Sequence, residues 1–157
     1  MILGLSLSPA LAQGDLTTFI LVRHAEKGND DPRDPSLSPE GEARAQKLAE
    51  VLADQQITAI YSTPFKRTQN TAKPVAAAKG LSVESYDFRS QTYLQEMLQK
   101  HAGGTILISG HSNTTPQVAN MLIGKESFQT LDESEYGMIF IVTVSELGKG
   151  TVTVVKY

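Results

Sequence analysis

Cysteine is absent from the 157 residues. That excludes a disulfide framework, a thiol nucleophile, a thiolate metal site and a lipidated cysteine. An excess of positive charge is also missing: 14 Lys and Arg stand against 17 Asp and Glu, a net charge of −3. Neither nucleic acid nor an anionic membrane surface is therefore called for as a partner. No stretch approaches the roughly 20 consecutive apolar residues that a membrane span needs. Internal repeats, linkers and low-complexity tracts are lacking too. The three histidines belong to no spaced His or carboxylate ligand motif, so a metal site on His24 and His111 has little support. What remains is an ordinary soluble composition, 40% hydrophobic and 20% charged. A chain of this length forms one domain that buries roughly 70% of the surface its unfolded state exposes.

Residues 1–14 differ from the rest. They carry no charge, and Ile2, Leu3, Leu5 and Leu7 lead to Ala10-Leu11-Ala12, the small-x-small form of a signal-peptidase site. The segment reads as the remnant of a secretory signal whose beginning is missing, with a mature start near Gln13. The alternative is a merely apolar extension. Residues 15–157 then form the single domain, expected to be periplasmic or secreted and otherwise cytoplasmic.

Phe19-Ile20-Leu21-Val22 is short, continuous and apolar, as a fully buried strand is. It stops at Arg23-His24 and enters a polar loop whose acids, Asp30, Asp31 and Asp34, read as solvated. Ser38 caps the first helix with Pro39 at its first position, and Ala45, Leu48, Ala49 and Leu52 form its buried stripe. Ile57 to Tyr61 is the second strand. Thr63-Pro64 repeats the cap-then-proline signal and places Arg67 in the first turn or so of a second helix. Pro74 should break or kink that helix and Gly80 should end it.

A third strand is expected over Leu81 to Tyr86, closing at Asp87. A third helix carries Leu94, Met97 and Leu98, with His101 in its last turn. Thr105 to Ser109 is the fourth strand, ending in Gly110-His111. Thr114 or Thr115 caps the fourth helix, with Val118, Met121 and Leu122 inward. Met138 to Val144 and Thr151 to Val155 are joined too closely for a crossover and read as a hairpin. Four alternations of strand and helix predict an α/β three-layer sandwich: a mainly parallel six-stranded sheet, helices on both faces and a C-terminal β-hairpin.

In such a sheet, ligands bind outside the carboxyl ends of the strands. Arg23 and His24, Arg67, Asp87 and His111 follow strands one to four and share that edge. Arginine's planar fork matches phosphate oxygens bidentately. An imidazole attacks phosphorus, or donates to its oxygens when protonated. Lys27, Ser112 and Asn113 can add donors for the substrate, or be surface and capping residues. Tyr86 and Tyr136 either border the entrance or pack on the sheet.

Leu21-Val22-Arg23-His24-Ala25-Glu26-Lys27, the run Ser62 to Ala72 and Gly110-His111-Ser112-Asn113-Thr114 resemble the three signature segments of the histidine phosphatase superfamily, also called the phosphoglycerate mutase-like family. The resemblance runs from Phe19 to Tyr157. It implies a covalent phosphohistidine route with no metal and no cofactor. By match to the motifs, His24 is the nucleophile and Arg23, Arg67 and His111 hold the phosphoryl group. The family's proton donor usually follows the third strand, where Asp87 stands, although the surrounding residues do not reproduce the better-known acid motifs; Glu26 and Glu84 are its competitors. The expected activity is hydrolysis of a small-molecule phosphomonoester. The alternatives are a protein phosphohistidine phosphatase, which export would disfavour, and a non-catalytic phosphate-binding module.

Overall fold

The computed structural model describes residues 16–157. The N-terminal lead, with its Ala10-Leu11-Ala12 pattern, lies outside the described residues.

Strands and helices alternate as β1 (Thr17–Arg23), α1 (Pro39–Val51), β2 (Ala59–Ser62), α2 (Lys66–Lys79), β3 (Val83–Ser85), α3 (Tyr93–Lys100), β4 (Thr105–Gly110) and α4 (Thr114–Ile123), followed by β5 (Met138–Val144) and β6 (Thr151–Lys156). The six strands make one sheet in the order β3-β2-β4-β1-β5-β6. β1, β2, β3 and β4 run parallel, β5 is antiparallel to β1, and β5 and β6 form the expected hairpin. β1 is central, so both its faces are covered. Phe19 and Leu21 join Leu94, Met97, Val118 and Leu122 in the layer under α3 and α4. Ile20 and Val22 join Leu48, Leu52, Ala72 and Val75 under α1 and α2. Alternate side chains of one strand feeding two helical layers explain why its sequence is apolar without a break.

Local signals are met at α1, where the Ser38 hydroxyl accepts the Gly41 N–H at 3.1 Å and Pro39 opens the helix. Other boundaries differ. α2 starts at Lys66, and neither Thr63 nor Pro64 opens it. Its Lys66 N–H is instead received by the Asp34 carboxylate, 3.0 Å away, so the cap comes from the acidic loop that reads as solvated in sequence. Pro74 does not interrupt α2, which continues to Gly80 in the left-handed conformation (φ 65°). Pro74 is only partly buried, on the side where water can satisfy the carbonyl its ring leaves free.

Strand β3 is shorter than expected because it is an edge strand, paired with β2 alone over three residues. Thr114 and Thr115 lie inside the first turn of α4, after Asn113, and do not cap it. Met121 is exposed rather than inward. His101 ends α3 as expected and contacts the Tyr61 hydroxyl through Nε2 at 2.8 Å. Among the described residues, no helix is long and apolar enough to cross a membrane.

Gly41 shows how tightly α1 is set against the first loop. Glu26 O accepts the Ser38 N–H at 2.9 Å, and a Cβ on Gly41 would collide with that same carbonyl oxygen. In an open helix, Gly→Ala stabilises by about 1 kcal/mol. Here the sign should reverse: Gly41→Ala should destabilise by about 1–3 kcal/mol, the range for overpacking, read as a fall in the denaturation midpoint at unchanged m-value.

Candidate active site

Three strand ends meet at the centre of the sheet's C-terminal edge. The β1–β4 ladder runs one residue past the strand, with His24 N–H donating to Gly110 O at 2.8 Å. That places His24 beside the Gly110-His111 turn. From the opposite helical layer, the Thr71 hydroxyl of α2 receives the Ala25 N–H at 2.9 Å and donates to Arg67 O at 2.7 Å. The two imidazoles end with centroids 5.5 Å apart at an interplanar angle of 69°. A cleft of about 330 Å³ opens over them. Arg23, His24, Arg67 and His111 form its charged centre, and Lys27, Ser112 and Asn113 line it as well. Phe65 and Phe88 border it, as does Glu133.

The protons on both histidines follow from their partners. His24 Nδ1 lies 2.8 Å from Ala25 O. A carbonyl only accepts, so the neutral ring carries its proton on Nδ1 and keeps a lone pair on Nε2. His111 Nε2 lies 2.8 Å from Thr63 Oγ1. Thr63 Oγ1 in turn donates to Thr68 Oγ1 at 2.9 Å, and Thr68 Oγ1 donates to the carbonyls of Thr63 and Phe65, each at 2.9 Å. Because the last acceptors are carbonyls, the whole chain points one way: His111 Nε2–H to Thr63, Thr63 to Thr68, Thr68 to the backbone. His111 therefore donates through Nδ1 only when protonated.

Burial, the largest cause, lowers the His24 pKa to about 3; the Ala25 carbonyl opposes that, while His111, Arg67 and Arg23 add to it. Burial likewise lowers His111 to about 4, with Arg67, Arg23 and Lys27 contributing. Both imidazoles are neutral near pH 7. Such a site is cationic through its arginines yet presents an unprotonated nitrogen.

Arg23 is 1% exposed. Its Nη1 donates to the carbonyls of Asp132, Glu133 and Glu135 at 2.9, 3.2 and 2.8 Å. Its guanidinium carbon stands 4.2 Å from the centre of the Tyr136 ring, which lies near His24. Its Nη2 is 3.5 Å from the Glu133 carboxylate, and its Nε has no partner. Arg67 stacks on Phe65 at 4.7 Å and has Asp34 3.7 Å from Nη1; its Nε is also buried without a partner. Burial pulls the Arg67 pKa below its ordinary value against the pull of Asp34. Both arginines line the same cleft, and buried donors such as their Nε groups are ordinarily paired.

The three acids named from sequence do not enter this cleft. Asp87 is exposed, and its carboxylate receives the Arg89 N–H of its own turn at 2.9 Å. Glu26 is gripped by Arg44 Nε at 2.9 and 3.0 Å. Burial opposes its ionisation, but the Arg44 hydrogen bonds outweigh that and hold the carboxyl below its usual range. Glu84 pairs with Lys100 on the β3 edge. Tyr86 packs against Tyr93 in the core, 4.9 Å between ring centres. Tyr136, expected to border the entrance or pack on the sheet, lies against Arg23 and near His24. Glu133, Phe65 and Phe88 are the cleft residues that sequence reasoning did not single out; the local acidic run around Glu133 looks like any solvated loop. Among the described residues, no group of three or more His, Asp or Glu is arranged to hold a metal.

Fold and cleft define an α/β protein with Arg23, His24, Arg67 and His111 gathered at the C-terminal edge of its sheet. The model of the histidine phosphatase superfamily (branch 1) matches residues 19–88, the stretch that carries Arg23, His24 and Arg67. Phosphoserine phosphatase 1 of Hydrogenobacter thermophilus is 42% identical over 78 residues, 46% of this chain and 37% of the relative's length. The chain thus spans well under half of that curated relative. The structure of mycobacterial glucosyl-3-phosphoglycerate phosphatase superposes with a TM-score of 0.75 at 15% identity, covering 90% of this chain and 99% of that one. The protein histidine phosphatase SixA complexed with tungstate gives 0.72 at 19%, covering 88% and 96%. At these identities the likeness is one of fold.

The pKa directions set a pH dependence. An unfolded histidine titrates near 6.5, so below about pH 6.5 the unfolded chain takes up protons that buried His24 and His111 refuse. Stability should be fully present above that pH and decline as pH falls towards 4. Denaturation at stepped pH should show the decline, and it should be shallower in His24→Gln. Nitrogen-15 NMR at pH 7 should find His24 protonated on Nδ1 and His111 on Nε2.

Proposed function

We propose that the protein is a phosphatase that hydrolyses a small phosphomonoester through a phosphohistidine on His24, without a metal. The observation that carries this is the coincidence, around one cleft, of a His24 whose Nδ1 is held by a carbonyl, leaving a lone pair on Nε2, with the two arginines Arg23 and Arg67. Phosphoryl transfer needs an in-line nucleophile and cations around the equatorial oxygens, and little else. His24 Nε2 bonds to phosphorus as the ester P–O bond breaks. Arg23 and Arg67 receive the oxygens, and His111, protonated once a dianion neutralises the surrounding cations, adds a donor through Nδ1. Water then attacks phosphorus and the N–P bond breaks, releasing phosphate and the free imidazole. Lys27, Ser112 and Asn113 supply further donors at the rim.

The phosphoserine phosphatase relative supports a small phosphomonoester as the substrate class. The signal-like Ala10-Leu11-Ala12 pattern supports an exported protein, which would be parted from the phosphorelays that a phosphohistidine phosphatase serves.

Labelled substrate, quenched in alkaline denaturant where phosphohistidine survives, should leave label on the wild-type protein and none on His24→Ala. Label retained on that variant would remove His24 as nucleophile. Activity should survive exhaustive chelation, and phosphate, vanadate or tungstate should compete with substrate. Arg67→Lys keeps the charge but not the fork, so competition by these oxyanions should weaken by roughly tenfold or more.

A further inference from the structure

Resting on the phosphatase reading, we propose that Glu133 is the general acid of phosphorylation and the general base of dephosphorylation. Among the described residues it is the one carboxylate that lines the cleft with His24 and His111. Its backbone is fixed from several sides. Arg23 Nη1 holds the carbonyls of Asp132, Glu133 and Glu135. Leu131 N–H donates to Ser112 O at 2.9 Å, which ties the loop to the His111 turn. The Asp132 carboxylate receives both the N–H and the hydroxyl of Ser134, at 2.9 and 2.6 Å, closing a turn directly over Glu133. The side chain itself is 80% exposed and meets only Arg23 Nη2, at 3.5 Å. A mobile carboxylate on a rigid loop can follow a leaving group and exchange protons with water.

The contact with Arg23 makes the role conditional on substrate. A phosphoryl dianion competes for Arg23 and releases the Glu133 side chain from its one contact, so that it can reach the leaving group. As the Nε2–P bond forms and the ester P–O bond breaks, Glu133 gives its proton to the departing alkoxide, which leaves as the alcohol. In the second half, the Glu133 carboxylate removes a proton from the attacking water. A new P–O bond forms, Nε2–P breaks and phosphate departs.

The test is single-turnover formation of labelled phosphohistidine by wild type and Glu133→Gln, from an alkyl phosphate and from 4-nitrophenyl phosphate. An alkoxide needs a proton as it leaves and a nitrophenolate barely does. Glu133→Gln should slow labelling from the alkyl ester by roughly 100-fold or more, the range for a positioned general acid. Labelling from the nitrophenyl ester should fall by less than about tenfold. Equal losses on both esters, or no loss on either, would overturn the assignment while leaving His24 chemistry intact. A selective alkyl loss in Asp87→Asn, with Glu133→Gln unaffected, would overturn it in favour of Asp87. If wild type labels from neither ester, the phosphatase reading itself fails and this role falls with it.

Discussion

The site depends on one buried cation. Arg23 sits at the end of the central strand with 1% of its surface exposed, where an uncompensated guanidinium would cost several kcal/mol. It is compensated by three carbonyls from a loop more than a hundred residues later in the chain and by the face of Tyr136. Nη1 holds the backbone of residues 132–135 against the sheet, while Nη2 makes one contact, with the Glu133 carboxylate. Removing this residue would release the loop.

Carbonyl acceptors then settle the proton positions of both histidines. Ala25 O leaves His24 a lone pair on Nε2, and the Thr63–Thr68 chain leaves His111 its lone pair on Nδ1. The two imidazoles are in the same low-dielectric surroundings and both resist protonation, but their tautomers are opposite and so are their uses. In the proposed reaction one attacks phosphorus, and the other accepts a proton when the anion arrives. The cleft thus combines arginine charge with two imidazoles whose protonation is disfavoured.

Carboxylates show where local pattern stops being informative. Asp87, Glu26 and Glu84 all lie near a strand end, which is as far as pattern can place them. A turn N–H occupies the first, Arg44 the second and Lys100 the third. Asp34 looks like part of a solvated acidic loop, yet it caps α2 and stands beside Arg67. Glu133 looks equally bland and lines the cleft. Side-chain partners decide these cases, and partners from distant segments leave no local trace.

The sequence by itself determined the order of strands and helices, the parallel sheet with its terminal hairpin, and the edge on which Arg23, His24, Arg67 and His111 stand. Those follow from short-range causes: apolar runs that must be buried, proline and serine at the start of α1, glycine at the end of α2, and motifs that sit directly after strands. Boundaries slipped where long-range contacts overrule local preference, as at α2, whose cap is Asp34, and at β3, which has a single neighbour. Only the tertiary structure decided which nitrogen of each histidine is free, which guanidinium atoms are unpartnered and which acid reaches the cleft. The His24 choice rests on its neighbour Ala25 and on the burial around it, whereas the His111–Thr63 and Arg23–loop contacts join segments tens of residues or more apart, and their energy exists only once the sheet has brought them together.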